Sequence, residues 1–307
     1  MADIHLPDTA GHAGGPGSPG FEGPDTIVLI HGFWVTPRSW EGWVERYEGL
    51  GYRVVTPTYP GYEVEVEALN ADPTPIANAT TVAIVDHLVE VVGALAAPPI
   101  LMGHSAGGAF TQLLLDRGLG AVGVAINSAP TQGVKKLPFS QVRSVWPALR
   151  SPANRHKAIG LTYEQWRYSF TNTFPEDQAR ATYTRYHIPA SGGILWDTAL
   201  ANVKPGRGDT WVDYGNAARP PLLFVSGGAD HIMPPSVQRS NAALYRTPSC
   251  THRVEYDGRS HLMPAQDGWE EVADYALEWA TGHAIAAAAG ADVSESVPSR
   301  VGQDART

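Results

Sequence analysis

The chain of 307 residues holds a single cysteine, Cys250. That excludes an internal disulfide framework and any metal site built from several cysteines. One thiol suits a reducing compartment, so the expected location is cytoplasmic. No apolar run approaches the ~20 residues needed to cross a bilayer. Met1 to Gly23 lacks the basic start and apolar segment of a secretory signal, and its Gly, Pro and Ala content reads as a disordered tail over residues 1–24. The small, polar stretch 283–307 is expected to be a flexible tail likewise. Positive charge is in deficit, with 22 Lys and Arg against 31 Asp and Glu. The resulting net charge of -9 disfavours nucleic acid and anionic membrane surfaces as partners. There is no internal repeat. What remains, 43% hydrophobic and 17% charged, is a globular composition with enough length to bury a large core. It leaves the formation of a homo-oligomer open.

The most informative stretch is Ile100 to Gly108, Ile-Leu-Met-Gly-His-Ser-Ala-Gly-Gly. An apolar run of strand length passes through Gly-x-Ser-x-Gly directly into a helical pattern continuing to Gly118. A serine at the tip of such a turn sits in a strained backbone, and the positions two before and two after it crowd each other. Gly103 and Gly107 meet that demand, and Gly108 keeps the helix close to the sheet. The helix N-terminus then points its unpaired N–H groups at the space beside Ser105.

Around this turn the pattern alternates. Strands are expected at Thr26–Ile30, Tyr52–Thr56, Ala121–Ile126, Leu222–Ser226 and His252–Tyr256. Between them come helices: one capped by Thr36 with Pro37 at its first position, one over Pro75 to Leu95, and a closing one near Asp267, where Glu270 fits a capping box. Strands alternating with helices mean parallel crossovers and an α/β fold. Thr131 to Arg219 breaks the rhythm and is too long for a bare loop. Tyr163, Trp166, Phe170 and Phe174 recur there at helical spacing, so the segment reads as a helical cap over the strand ends. The domain reading is therefore a core of residues 25–130 and 220–282, with a cap of residues 131–219.

Serine is a weak nucleophile until a base removes its proton, and the base needs an acid to fix its tautomer and stabilise its charge. Ligand sites in parallel sheets form beyond the carboxyl ends of strands. Asp230 follows the Leu222 strand and His261 follows the His252 strand, so the chain order is Ser105, Asp230, His261. Asp257 is a second candidate for the acid. The strand after the serine turn ends in Asn127-Ser128 and offers no carboxylate. The backbone N–H groups of Ala106 and Phe33 are the candidate donors to an oxyanion. Trp34 either lines the acyl pocket or packs. Trp166 and Phe170, on the aromatic stripe, are candidate substrate contacts if the stripe faces Ser105 and packing residues if it does not. His104, inside the turn, is a further candidate lining residue, although packing or a local hydrogen bond is the more ordinary role. No metal ligands are assigned.

Taken together, these residues resemble the α/β-hydrolase superfamily, in particular its serine esterase and lipase-like members. The matching pieces are His31-Gly32-Phe33, Gly103-His-Ser-Ala-Gly107, Gly228-Ala-Asp230 with Pro234 beyond, and Ser260-His261. The resemblance implies a mostly parallel sheet of about six strands flanked by helices with a helical cap insertion, the usual antiparallel opening hairpin being absent. It also implies cofactor-free hydrolysis of a small-molecule carboxylic ester, lactone or amide through an acyl-enzyme, and the aromatic stripe of the cap favours an apolar or aromatic group in that substrate. The same fold hosts lyases, peroxidase-like enzymes, cofactor-free oxygenases and non-catalytic ligand-binding proteins, and these stand as the alternatives.

Overall fold

The computed structural model describes residues 15–18, 20–203, 205–246 and 249–291. Among these, eight strands form: β1 (Thr26–Ile30), β2 (Arg53–Val55), β3 (Ile100–His104), β4 (Val122–Ile126), β5 (Ala158–Ile159), β6 (Ala190–Ser191), β7 (Leu222–Gly227) and β8 (Thr251–Tyr256). Six of them make one sheet in the order β2-β1-β3-β4-β7-β8, every neighbouring pair parallel. β5 and β6 pair antiparallel outside it.

The apolar runs read from the sequence are runs because both faces of the sheet are covered. Successive strand residues point to opposite faces. Val28, Ile30, Leu101 and Phe224 accordingly join one core, while Ile27, Leu29, Met102 and Val225 join the other. The second core is closed by α1 (Glu41–Gly49) through Trp43 and Tyr47, and by the last helix. On the first face lie α2 (Val66–Ala71), α3 (Thr74–Ala77), α4 (Thr81–Gly93) and α5 (Ala106–Asp116). The insertion between β4 and β7 carries α6 (Phe139–Leu149), α7 (Tyr163–Ser169), α8 (Glu176–Tyr186) and α9 (Gly192–Leu200). α10 (Pro235–Ala242) and α11 (Trp269–Ala288) complete the chain. Trp166, Phe170, Ile188 and Ile194 of the insertion belong to the same core as the first face of the sheet, so insertion and sheet share one apolar interior.

Several local expectations are corrected. The helix read over Pro75 to Leu95 is two helices, α3 and α4. Thr80 stays extended between them and its hydroxyl accepts the Ala83 N–H at 3.2 Å, an N-cap that competes with helix continuation. The capping box of Asp267 and Glu270 does not form. Gly268 occupies the cap position with φ 76°, and the Asp267 carboxylate accepts from Gln178 Nε2 at 2.6 Å instead. α11 runs past residue 282 to Ala288, because His283 and Ala284 are buried. At the other end, Phe21 packs edge-on against Tyr52 with centroids 6.2 Å apart, which ties part of the expected N-terminal tail to the body. The rest of the two expected tails, residues 1–14 and 292–307, lies outside the described residues.

Candidate active site

β3 ends at His104 and α5 begins at Ala106, which leaves Ser105 alone on the turn with φ 56° and ψ -118°. Few residues bearing a side chain adopt that conformation, and here the surrounding packing enforces it. A Cβ on Gly103 would lie 2.0 Å from the Gly107 carbonyl oxygen, and one on Gly107 would lie 2.1 Å from the Ile30 carbonyl oxygen. The two glycines are thus steric requirements of the turn. Ser105 N–H donates to the Ile126 carbonyl at 2.9 Å, pinning the turn to the adjacent strand.

Parallel strands deliver the other two side chains to the same end of the sheet. Asp230 lies three residues past β7, and His261 lies five residues past β8. Ser105 Oγ is 3.0 Å from His261 Nε2, and His261 Nδ1 is 2.7 Å from Asp230 Oδ2. Asp230 Oδ1 also accepts the N–H groups of Ile232 at 2.7 Å and Met233 at 2.8 Å. A carboxylate receiving three N–H donors is an acceptor throughout. His261 therefore carries its proton on Nδ1 and turns a lone pair on Nε2 toward the Ser105 hydroxyl. Asp257, the other acid considered, is exposed, and the position beside Nδ1 is occupied by Asp230.

Beneath this run sits a residue that the sequence reading passed over. Asn127 is buried at the end of β4 with φ 43°. Its Nδ2 donates to the carbonyls of Ser260 and His261, both at 3.1 Å, and its Oδ1 accepts the Gly227 N–H at 2.6 Å. One amide thus joins the end of β7, which leads to Asp230, to the loop that carries His261. The available signal is an asparagine at a strand end beyond which ligands collect. His104 acts alongside it, with Nε2 donating to the His261 carbonyl at 2.7 Å. Burial, and after it the neighbouring His261, hold the His104 pKa well below the ordinary histidine value, so the ring stays a neutral donor. His31 is pushed down to about 4 by burial and stacks on Tyr59 with centroids 3.8 Å apart.

A cavity of about 520 Å³ opens above Ser105. Phe33 and Ala106 line it beside the serine, and Phe110, Val142, Ile194 and Met233 make its apolar walls. Ala106 is the first residue of α5, so its N–H has no acceptor within the helix. Trp34 lines the cavity and also packs, its Nε1 donating to the Ile159 carbonyl at 2.9 Å.

The other three candidates take the packing alternative. His104, Trp166 and Phe170 are buried and do not line the cavity. The aromatic stripe turns toward the His261 loop instead. Trp166 stacks on Phe170 with centroids 4.2 Å apart, and Phe170 sets its edge against the His261 ring at 5.0 Å. The Phe170 carbonyl accepts from Leu262 N–H and Ser260 Oγ, each at 2.9 Å.

Among the described residues, one cluster has metal-ligand chemistry: Cys250, His252 and His283, with ligand atoms within 4.8 Å of one another. It lies at the start of β8, the opposite end of the parallel sheet from Ser105. Trp279 Nε1 donates to His252 Nδ1 at 3.1 Å. In a neutral imidazole this leaves the proton on Nε2, which faces Cys250 Sγ at 3.6 Å.

A family model described as the alpha/beta hydrolase family matches residues 27–275. Among solved structures, an extracellular alpha/beta-hydrolase from a Paenibacillus species is 20% identical with a TM-score of 0.63, covering 84% of this chain and 99% of its own. A thermophilic esterase from Thermogutta terrifontis is 21% identical with a TM-score of 0.61, covering 83% and 88%. A pyrethroid hydrolase from Sphingobium faniae is 20% identical with a TM-score of 0.59, covering 86% and 98%. No curated protein matches the chain. At such identities these structures speak for the fold, while the family model spans most of the sequence. The six-stranded parallel sheet, the strained serine turn and the matched segment together place this chain in the alpha/beta hydrolase family.

Proposed function

We propose that the protein is a serine-dependent carboxylic ester hydrolase acting on a small molecule with an apolar or aromatic group. The single observation that carries this reading is the unbroken run of hydrogen bonds from Ser105 Oγ to His261 to Asp230, at 3.0 and 2.7 Å. Ser105 Oγ attacks the ester carbonyl as its proton passes to His261 Nε2, and Asp230, remaining ionised, stabilises the imidazolium. The carbonyl oxygen takes up the negative charge and is received by the N–H groups of Phe33 and Ala106, each such donor being worth ~10²- to 10³-fold in rate. His261 then protonates the departing alcohol, and water repeats the sequence on the acyl-enzyme to release the acid. Residues 131–219 serve as the cap over this chemistry, and the apolar walls of the cavity favour an apolar acyl or alcohol group. The chain's negative charge speaks against nucleic acid as a partner, and the cytoplasm is the proposed location on the strength of its one cysteine.

The test is covalent labelling by a serine-directed phosphonate beside turnover of a chromogenic ester panel. Ser105→Ala should keep its fold and lose both. Labelling that persists in the variant would overturn the reading, as would product analysis that finds no water-derived acid.

A further inference from the structure

We propose that the substrate carries an anionic group at the far end of an apolar chain, remote from the scissile carbonyl, and that Lys135 and Lys136 meet that charge at the cavity mouth. This names the substrate class of the site and rests on the ester-hydrolase reading above.

The chain as a whole is acidic, at net charge -9, yet the cavity reverses that balance. Among the described residues, Lys135 and Lys136 are the only charged ones lining it, and no Asp or Glu among them faces it. Both are exposed, between β4 and α6, and among the described residues neither enters an ion pair. Two like charges against apolar walls focus their field on the opening and raise the local concentration of an anion. The apolar lining also does not stop where the protein does. Leu137, Trp146 and Val203 line the cavity while remaining 69%, 56% and 74% exposed. A wall that continues into solvent covers a chain longer than the enclosed space, and its exposed Leu137 directly follows the two lysines in the chain. A short neutral ester would use neither feature. An anionic lipid surface could meet the same two lysines, but the rest of the acidic chain would be repelled from it, which favours a single dissolved molecule.

The experiment compares para-nitrophenyl decanoate with the para-nitrophenyl monoester of decanedioic acid, which differ only in the terminal carboxylate. Each hydrolysis consumes one water and releases para-nitrophenol and the corresponding acid. At low ionic strength the wild type should show kcat/KM about tenfold higher for the anionic ester. That advantage should shrink toward parity at ~0.5 M salt, where screening is strong. In the K135Q/K136Q variant it should be lost at every salt concentration. Because the readout is a ratio measured on one preparation, a partly misfolded variant does not distort it. Equal rates for the two esters in the wild type, or an advantage that survives in the variant, would overturn the proposal. So would phosphatidylglycerol vesicles that accelerate hydrolysis of the neutral decanoate in the wild type and not in the variant, since the lysines would then serve a lipid surface. Inertness toward every ester, short or long, would instead bring down the hydrolase reading on which the proposal rests.

Discussion

The two halves of the 131–219 insertion are held in opposite ways. The half containing α7 and α8 is pinned to the loops that carry the site. Phe170 receives two hydrogen bonds from the His261 loop, Asn172 donates to the Ala229 carbonyl at 3.0 Å, and the Tyr168 carbonyl accepts from His231 at 2.8 Å. Farther along, Arg185 Nε and Tyr186 OH both donate to Glu41 at 2.6 Å. The half containing α6 reaches those loops through longer contacts, Ser144 Oγ to the His231 carbonyl at 3.5 Å and Gln141 Nε2 to Met233 Sδ at 3.3 Å, and it exposes Leu137, Phe139 and Trp146. On the proposed function, one half supports the loop that carries the histidine, and the other lines the cavity through which a substrate would reach it. Mutations in the first should therefore act on kcat and stability, and mutations in the second on KM.

The largest effect is expected from Phe170→Ala. It empties a fully buried site between Trp166 and His261 and should cost about 3–5 kcal/mol in chemical denaturation, with a fall in kcat. A change in KM alone would break the distinction between the halves.

Acid comes next. Burial holds His31 and His187 down to about 4 against an ordinary value of 6.5, and it holds His104 well below that value too. Between those limits the unfolded chain takes up protons that the folded rings refuse. Their contribution is therefore fully present above about pH 6.5 and is lost as the pH falls toward about 4. The Tm should drop across that window. His187 accepts the Leu161 N–H at 3.0 Å within the pinned half, so His187→Gln, which keeps an acceptor, should flatten part of the slope. An unchanged slope would remove His187 from the account.

Asn127→Ala orphans the Gly227 N–H and the Ser260 carbonyl, leaves the His261 carbonyl to His104 alone, and should cost about 1–3 kcal/mol. It should also lower kcat with little change in KM, as loosening of the His261 loop requires. The smallest effect on stability belongs to Trp146→Ser at the open rim, within about 0.5 kcal/mol. Its KM for long-chain esters should rise while that for acetate esters holds. Equal changes for both would place the rim outside substrate binding.

What could be read in advance was what depends on neighbours in the chain or on strand order. Gly103 and Gly107 were legible because the crowding they relieve is produced within the turn itself. Asp230 and His261 were legible because residues that follow parallel strands collect at one end of a sheet. The direction of the aromatic stripe was not legible. Helical spacing shows that Trp166 and Phe170 share a face, and says nothing of whether that face meets a cavity or the loop beside it. Asn127 escaped for a similar reason, since its three partners come from segments about 100 to 134 residues away. The failed capping box near Asp267 shows the converse, a correct local pattern overridden when Gln178 of the insertion claimed the carboxylate.

By itself, the sequence determined the sheet, the serine turn and the order of the chemical groups, because short-range sterics and hydrophobic periodicity act before distant segments meet. The tertiary structure alone decided which acid faces the histidine, which half of the insertion grips it, and where the two lysines stand relative to the apolar walls. Those outcomes depend on contacts between segments far apart in the chain, and their energies exist only once the chain has closed on itself.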